Sequence, residues 1–202
     1  MVQTDEIQEY YFDHAATSFP KPPDVMRAMR DWSTNLGASA GRGDYPRAKL
    51  TGDMIYDCRR YLAKLFGIED PRNVILTANC TDALNLVIRG IFFEASDEVV
   101  VGPTEHNSVM RPLNALSQDV AIKVVRMEAN EAGFANTKGL EQLLTEKTKL
   151  VALQHASNVI GAIHDIEHVA NICRARGIPL LVDAAQTAGA CPIDLAKVPV
   201  DF

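Results

Sequence analysis

Ile178-Pro179-Leu180-Leu181-Val182-Asp183-Ala184-Ala185-Gln186 is the stretch from which this chain is read. It is apolar at nearly every position up to Asp183, which fits a strand buried on both faces of a parallel sheet. Its carboxylate stands at the carboxyl end, the edge at which open α/β sheets bind ligands. Two other apolar runs lead to polar residues in the same way: Val99-Val100-Val101 to His106, and Leu150-Val151-Ala152-Leu153 to Asn158. An imidazole, an amide and a carboxylate at one sheet edge point to a site for a flat, partly ionised heterocycle.

Upstream of this stretch, helical and extended patterns alternate from about residue 51. Met54, Ile55, Cys58, Tyr61, Leu62, Leu65 and Phe66 recur at the spacing of one helix face, and Gly67 supplies a left-handed stop. Val74 to Thr77 is predicted to be a short strand, followed by a helix capped by Thr81 that carries Leu84, Val87, Ile88 and Ile91. Strands are predicted at Val99–Val101, Ile122–Val125 and Leu150–Leu153, with a helix from about Thr137 to Thr145 before the last. Asp165 caps a helix carrying Ile166, Val169, Ile172 and Cys173, which Gly177 closes before the Asp183 strand. This succession implies an α/β fold, a mostly parallel sheet with flanking helices. Residues 1–50 fit less well and form an amino-terminal extension: three prolines precede a short helix with Val25, Met26 and Met29 on one side, and Gly37 to Gly43 is an irregular loop.

The 202 residues are 47% hydrophobic and 23% charged, an ordinary globular composition for one α/β domain. A net charge of -6 gives no electrostatic reason to expect nucleic acid or an anionic membrane. The leading segment is acidic and lacks the order of a signal peptide, and no apolar stretch approaches the ~20 residues that span a bilayer, so a cytoplasmic location is expected. Cys58, Cys80, Cys173 and Cys191 form no Cys-x-x-Cys pair, and His14, His155, His164 and His168 have no metal-ligand spacing with carboxylates.

Asp183 can hold a ring nitrogen protonated, or it can be a turn carboxylate. Asn158 and Gln186 offer amide donors to a phenolate oxygen, or close their own turns. In Asn79-Cys80-Thr81-Asp82 the backbone N–H groups and the Thr81 hydroxyl can hold a phosphate, or Thr81 can be a simple cap. His106 can stack on a ring and shuttle protons, or lie on the surface. Neither a G-x-G-x-x-G fingerprint nor a P-loop is present, which argues against dinucleotides and nucleoside triphosphates.

These residues resemble the pyridoxal-phosphate-dependent class V aminotransferases, within them the cysteine desulfurases and selenocysteine lyases. The resemblance runs through Tyr11-Phe12-Asp13-His14-Ala15-Ala16-Thr17, Gly41-Arg42-Gly43, Asn79 to Leu86, Glu105-His106-Asn107-Ser108, His155 to Gly161 and Val182-Asp183-Ala184-Ala185-Gln186, in order. It implies the incomplete large domain of the fold type I transferases, with pyridoxal phosphate as cofactor. It further implies that Asp183 pairs with the pyridinium nitrogen, His106 stacks on the ring as the catalytic residue, Asn158 and Gln186 contact the phenolic oxygen, and Cys80 with Thr81 hold the phosphate. His14, Ala15 and Arg42 fall where relatives contact substrate. His14 replaces a common Asn and Cys80 a common Thr, the latter removing a hydroxyl from the phosphate site.

The family's Schiff-base lysine lies beyond a strand that would begin near Phe202, and none of Lys21, Lys49, Lys64, Lys123, Lys138, Lys147, Lys149 and Lys197 stands in such a segment. Residues 51–202 are therefore expected to be a partial cofactor domain truncated before that lysine and before the sulfur-accepting cysteine, and inactive alone. The parent is expected to convert L-cysteine to L-alanine as a homodimer, passing sulfur through an enzyme cysteine to an acceptor protein. Competing readings are a class V aminotransferase or epimerase and a noncatalytic association protein. Family sheet order further predicts that the Val74–Thr77 strand loses its neighbours, leaving a gap and an exposed apolar edge at 179–183 that makes the chain unstable or partner-dependent.

Overall fold

The structure is a computed structural model that describes residues 10–202; residues 1–9 of the acidic leading segment lie outside the described residues. The chain divides into two compact units at Ile55/Tyr56.

In the first unit, helix α1 (Pro23–Asp31) begins with proline, whose fixed φ suits a first turn that needs no N–H. It continues into a π-helical turn, Trp32–Leu36, closed by Gly37 at φ 55°. Val25, Met26 and Met29 of α1 are all exposed. Helix α2 (Pro46–Phe66), whose residues from Tyr56 on belong to the second unit, starts well ahead of the apolar repeat at Met54. Its first turns bury Ala48 and Thr51, which hydrophobic spacing does not flag, and the Trp32 indole N–H lies 3.4 Å from the Thr51 hydroxyl.

The second unit holds α3 (Cys80–Gly90), β1 (Glu98–Val101), α4 (Asn107–Asp119), β2 (Lys123–Arg126), α5 (Leu140–Leu143), β3 (Thr148–Gln154), α6 (Ile166–Arg176) and β4 (Leu180–Asp183). The strands form one parallel sheet in the order β2-β1-β3-β4. Its central residues are buried on both faces, and the two-residue period of a strand sorts them into two cores. Val100, Val151, Leu153 and Leu180 pack with Leu140, Val169 and Cys173 on the α5/α6 side. Val99, Val101, Leu150, Ala152 and Leu181 pack with Leu84, Ile88, Val109 and Leu113 on the α3/α4 side. Each such side chain contributes roughly 1.5–3 kcal/mol by leaving water. Helix α6 is bounded as expected: the Asp165 carboxylate accepts from His168 N at 3.0 Å, and Gly177 turns left-handed at φ 65°.

Several expectations are corrected. Residues 74–77 are not a strand: Val74 is extended (φ -88°, ψ 108°), but no ladder pairs the segment among the described residues. Extended backbone becomes a strand only with a hydrogen-bonded neighbour. The cap of α3 is Asn79, whose side chain accepts from Asp82 N at 2.8 Å, and Thr81 lies inside the first turn. The predicted 137–145 helix is a 3₁₀ turn, Thr137–Gly139, followed by the four residues of α5, because Gly139 interrupts it. Helix α4 was not foreseen. The β4 edge is not bare: Phe202 N donates to Leu180 O and Val182 N to Phe202 O, a parallel bridge, while the Asp201 carboxylate accepts from Leu180 N at 2.8 Å. Beyond that bridge opens a cleft of about 510 Å³ lined by Ile75, Leu84, Val87, Leu181, Val182 and Phe202.

Candidate functional site at the carboxyl edge of the sheet

Asp183 is the last residue of β4 and is 6% exposed. Its Oδ1 accepts from Ala185 N at 3.0 Å, and the Cys80 thiol lies 3.7 Å from the same oxygen. Helix α3 thus begins directly beside this carboxylate, held there by the Asn79 cap and by Leu84 and Ile88 in the α3/α4 core. Burial first, then the Asp183 charge and the hydrogen bond to it, push the Cys80 thiol up to about 11. Cys80 therefore stays protonated at neutral pH and is a donor, not a nucleophile.

Gln154, the last residue of β3, is the ladder partner of Asp183 and is 2% exposed. Its backbone N–H donates to Glu105 Oε1 at 2.7 Å, and its side-chain Nε2 donates to Ala156 O. The next residue, His155, donates its N–H to Asp183 O at 2.9 Å, while its ring Nδ1 lies 2.9 Å from the Thr187 hydroxyl. Both side chains are buried, and burial lowers the His155 pKa, so the ring is neutral at physiological pH.

His106 caps α4. Its Nδ1 accepts from Ser108 N at 3.1 Å and lies 2.6 Å from the buried Ser108 hydroxyl. A backbone N–H can only donate, so in the neutral ring the proton is assigned to Nε2. Asn158 is exposed in the turn after β3, where Ser157 Oγ accepts from Val159 N and Gly161 is left-handed at φ 70°. Gln186 is half-buried in the turn after β4, and Thr81 is exposed in the first turn of α3. The structure thus brings Cys80 and Asp183 into contact and sets His106, Asn158 and Gln186 on the segments that follow β1, β3 and β4.

His14, Ala15 and Arg42 belong to the first unit. His14 and Ala15 occupy the 14–16 turn, where the His14 ring meets Tyr11 edge-on at 4.9 Å, and Arg42 is exposed in an irregular stretch. Two residues of the carboxyl edge were missed by the sequence reading, Glu105 and Gln154. Glu105 directly precedes His106 in the connection that follows the buried strand β1, and its position there was the available signal; Gln154 looked like one more strand residue. Among the lysines, Lys123 opens β2 and Lys147 and Lys149 flank the start of β3, at the amino edge, while Lys197 pairs with Asp194 at 2.8 Å.

No helix among the described residues is long and apolar enough to cross a membrane. The family model of Aminotransferase class-V matches residues 10–202. A probable cysteine desulfurase of Borreliella burgdorferi is 33% identical over 196 residues, covering 95% of this chain and 46% of that protein. The apo structure of a cysteine desulfurase from Thermococcus onnurineus NA1 is 30% identical with a TM-score of 0.88, covering 95% of this chain and 48% of that one. A C-DES variant with glycine covalently linked to its PLP cofactor shares the fold, at 23% identity and a TM-score of 0.80 over 95% of this chain and 50% of its own. The chain spans about half the length of the curated relatives it matches. With nearly every described residue matched and the parallel sheet in common, the chain belongs to the class V aminotransferase family.

Proposed function

We propose that this chain supplies the pyridoxal phosphate cradle of a cysteine desulfurase, an enzyme whose complete form converts L-cysteine to L-alanine and transfers the sulfur to one of its own cysteines. The observation that carries this reading is the buried Asp183 carboxylate at the end of β4 with the first turn of α3 in contact with it through Cys80.

The residues fit the cofactor. The Asp183 carboxylate keeps acceptor capacity beyond Ala185 N and the thiol, and can take a ring N–H; such a contact is worth roughly 4 kcal/mol gross at an effective dielectric near 20. The first-turn N–H groups of α3, at Cys80 and Thr81, suit a phosphate, because a helix start presents unpaired donors and positive dipole. When bound, pyridoxal phosphate supplies the electron sink for bond breaking at the substrate α-carbon. His106 presents a ring face and a proton on Nε2, so it can cover the cofactor and move a proton there. Asn158 and Gln186 offer amide groups from the neighbouring turns. His14, Ala15 and Arg42 are the residues we assign to the amino-acid substrate. A sulfur-acceptor protein and a second copy of the chain complete the partners of the full-length enzyme.

Because no lysine stands beside Asp183, cofactor binding by the 202 residues is expected to be noncovalent and cysteine turnover absent. Absorbance titration with pyridoxal phosphate, followed by borohydride treatment and peptide mapping, checks this. A saturable, stoichiometric pyridoxyl adduct on one lysine would overturn the noncovalent assignment. Asp183→Ala should weaken binding by about 10- to 100-fold, the loss of one charge-assisted hydrogen bond of about 1.5–3 kcal/mol; unchanged affinity would remove Asp183 from the site.

A further inference from the structure

Glu105 is a carboxylic acid that the reading above leaves without a task, although it sits in the middle of the polar cluster. Its Oε1 accepts from Gln154 N at 2.7 Å, so the side chain ties the segment after β1 to the carboxyl end of β3, while Gly102 N donates to Ala152 O at 3.1 Å. The fold makes room for it: a Cβ at position 102 would collide with Oε1 and come within 2.9 Å of Leu153 Cδ1, so any larger residue there must displace the Glu105 carboxyl. Glu105 Oε2 and Gln154 Oε1 are both buried without a hydrogen-bond partner. As a carboxylate and an amide oxygen they are two stranded acceptors, an arrangement that is costly away from water. A proton on Oε2 removes the buried charge and supplies a donor.

We propose that Glu105 is a positioning residue of this site: seated over Gly102, it locks the ends of β1 and β3 together and, by carrying a proton, leaves Asp183 as the single negative charge facing the cofactor ring. The second part rests on the reading of Asp183 as the ring partner; the first does not. Burial is the largest influence on the Glu105 carboxyl and raises it to about 7, with the Asp183 charge acting in the same direction and the Gln154 and Gly102 amides and Arg126 opposing. The charges that act on it are Asp183 on β4 and Arg126 at the end of β2, whose guanidinium donates to Pro103 O; the other ionisable groups of the edge are the adjacent His106, Cys80 against Asp183 and His155 against Thr187. Deprotonation places a second negative charge next to Asp183 and against an anionic, phosphate-bearing ligand.

The test begins on the full 202-residue chain without ligand. Side-chain carboxyl ¹³C NMR of glutamate-labelled protein, with the Glu105 signal assigned by Glu105→Gln or Glu105→Asp, should show one carboxyl titrating near neutrality. A midpoint in the ordinary glutamate range near ~4.3 would overturn the proposal. Gly102→Ala should expel the carboxyl and return its midpoint toward that range; an unmoved midpoint would separate Glu105 from its seat and count against it. Pyridoxal phosphate affinities of the wild type and Glu105→Gln are then compared at pH 6 and pH 8. The amide is permanently neutral and keeps the acceptor for Gln154 N, so the ratio of the two affinities should change several-fold across that interval. A constant ratio would overturn the charge-setting role. If neither protein binds the cofactor at either pH, the cofactor reading fails, while the NMR midpoint still decides whether Glu105 holds its proton.

Discussion

Val74-Ile75-Leu76 and, within the run that starts at Leu150, Val151-Ala152-Leu153 are both apolar triplets followed by a polar residue, yet only the second is in a strand. In β3 all three side chains are buried and the backbone pairs on both sides, with β1 and β4. In the 74–77 segment Ile75 is 63% exposed and Leu76 43%, and among the described residues neither N–H has a backbone partner. Composition is nearly the same in the two, so strand identity here belongs to the pair and not to the run. The apolar cleft beside Ile75 is the space in which a neighbour would lie.

The sharpest way to break the comparison is to truncate both runs. Leu153→Ala should cost about 3 kcal/mol in urea unfolding, because it empties a fully packed site, whereas Ile75→Ala should stay within about 0.5 kcal/mol. Comparable losses would mean that 74–77 is packed in solution. Amide exchange gives the same contrast without mutation: Leu153 should be protected and Leu76 should exchange rapidly.

The next effect in size concerns the Glu105 tie at the end of β3, which the 74–77 segment lacks. Between pH 4.5 and about 7 the unfolded chain releases the Glu105 proton while the folded chain retains it. The stability from this group is therefore complete below pH 4.5 and falls as pH rises through about 7, by about 3 kcal/mol. Denaturation midpoints of the wild type and Glu105→Gln should diverge over that window, with the variant gaining on the wild type as pH rises. Parallel curves would deny Glu105 its buried proton.

Smaller still is the loss of a helix cap. Asn79→Ala and Asp165→Ala each remove one side-chain acceptor for a first-turn N–H and should cost about 1 kcal/mol in unfolding free energy. Asn79 follows the unpaired segment and Asp165 belongs to the packed α6, so equal losses would show that 74–77 adds nothing to the seating of α3. The smallest effect is expected at Ala121, held at φ 64°, where Ser96 N donates to its carbonyl. Ala121→Gly relieves the left-handed strain and should raise stability by about 0.5 kcal/mol, seen as a small increase in Tm.

The parallel sheet was legible because β1, β3 and β4 are buried on both faces and so read as continuous apolar runs, and α6 because Asp165 and Gly177 bracket it with cap chemistry. Those signals are local. The failure at 74–77 arose because pairing is non-local, and the late start assigned to α2 because Ala48 and Thr51 are buried without being strongly apolar. Helix α4 went unseen because Pro112 lies inside it, buried in an otherwise amphipathic helix. At the site, Asp183 and the α3 start could be read from strand and helix ends, and the family resemblance supplied roles for Asn158 and Gln186. Glu105 and Gln154 escaped because their significance lies in a hydrogen bond between residues 49 positions apart.

The contact between Cys80 and Asp183 also adds to what burial does to covalent labelling kinetics. A rise of the Cys80 thiol from 9.0 to about 11 leaves about a hundredfold less thiolate than an unperturbed cysteine, and alkylating agents react with the thiolate. The exposed Cys58 should be modified first, with the buried Cys173, pushed up to about 12, far behind. Neutralising Asp183, whether by Asp183→Asn or by pairing with a cationic ring, withdraws part of that suppression, although a bound ring also covers the sulfur. Faster modification of Cys80 in the empty Asp183→Asn protein and slower modification in the ligand-bound wild type would give a carboxylate with no chromophore of its own a chemical reporter 3.7 Å away.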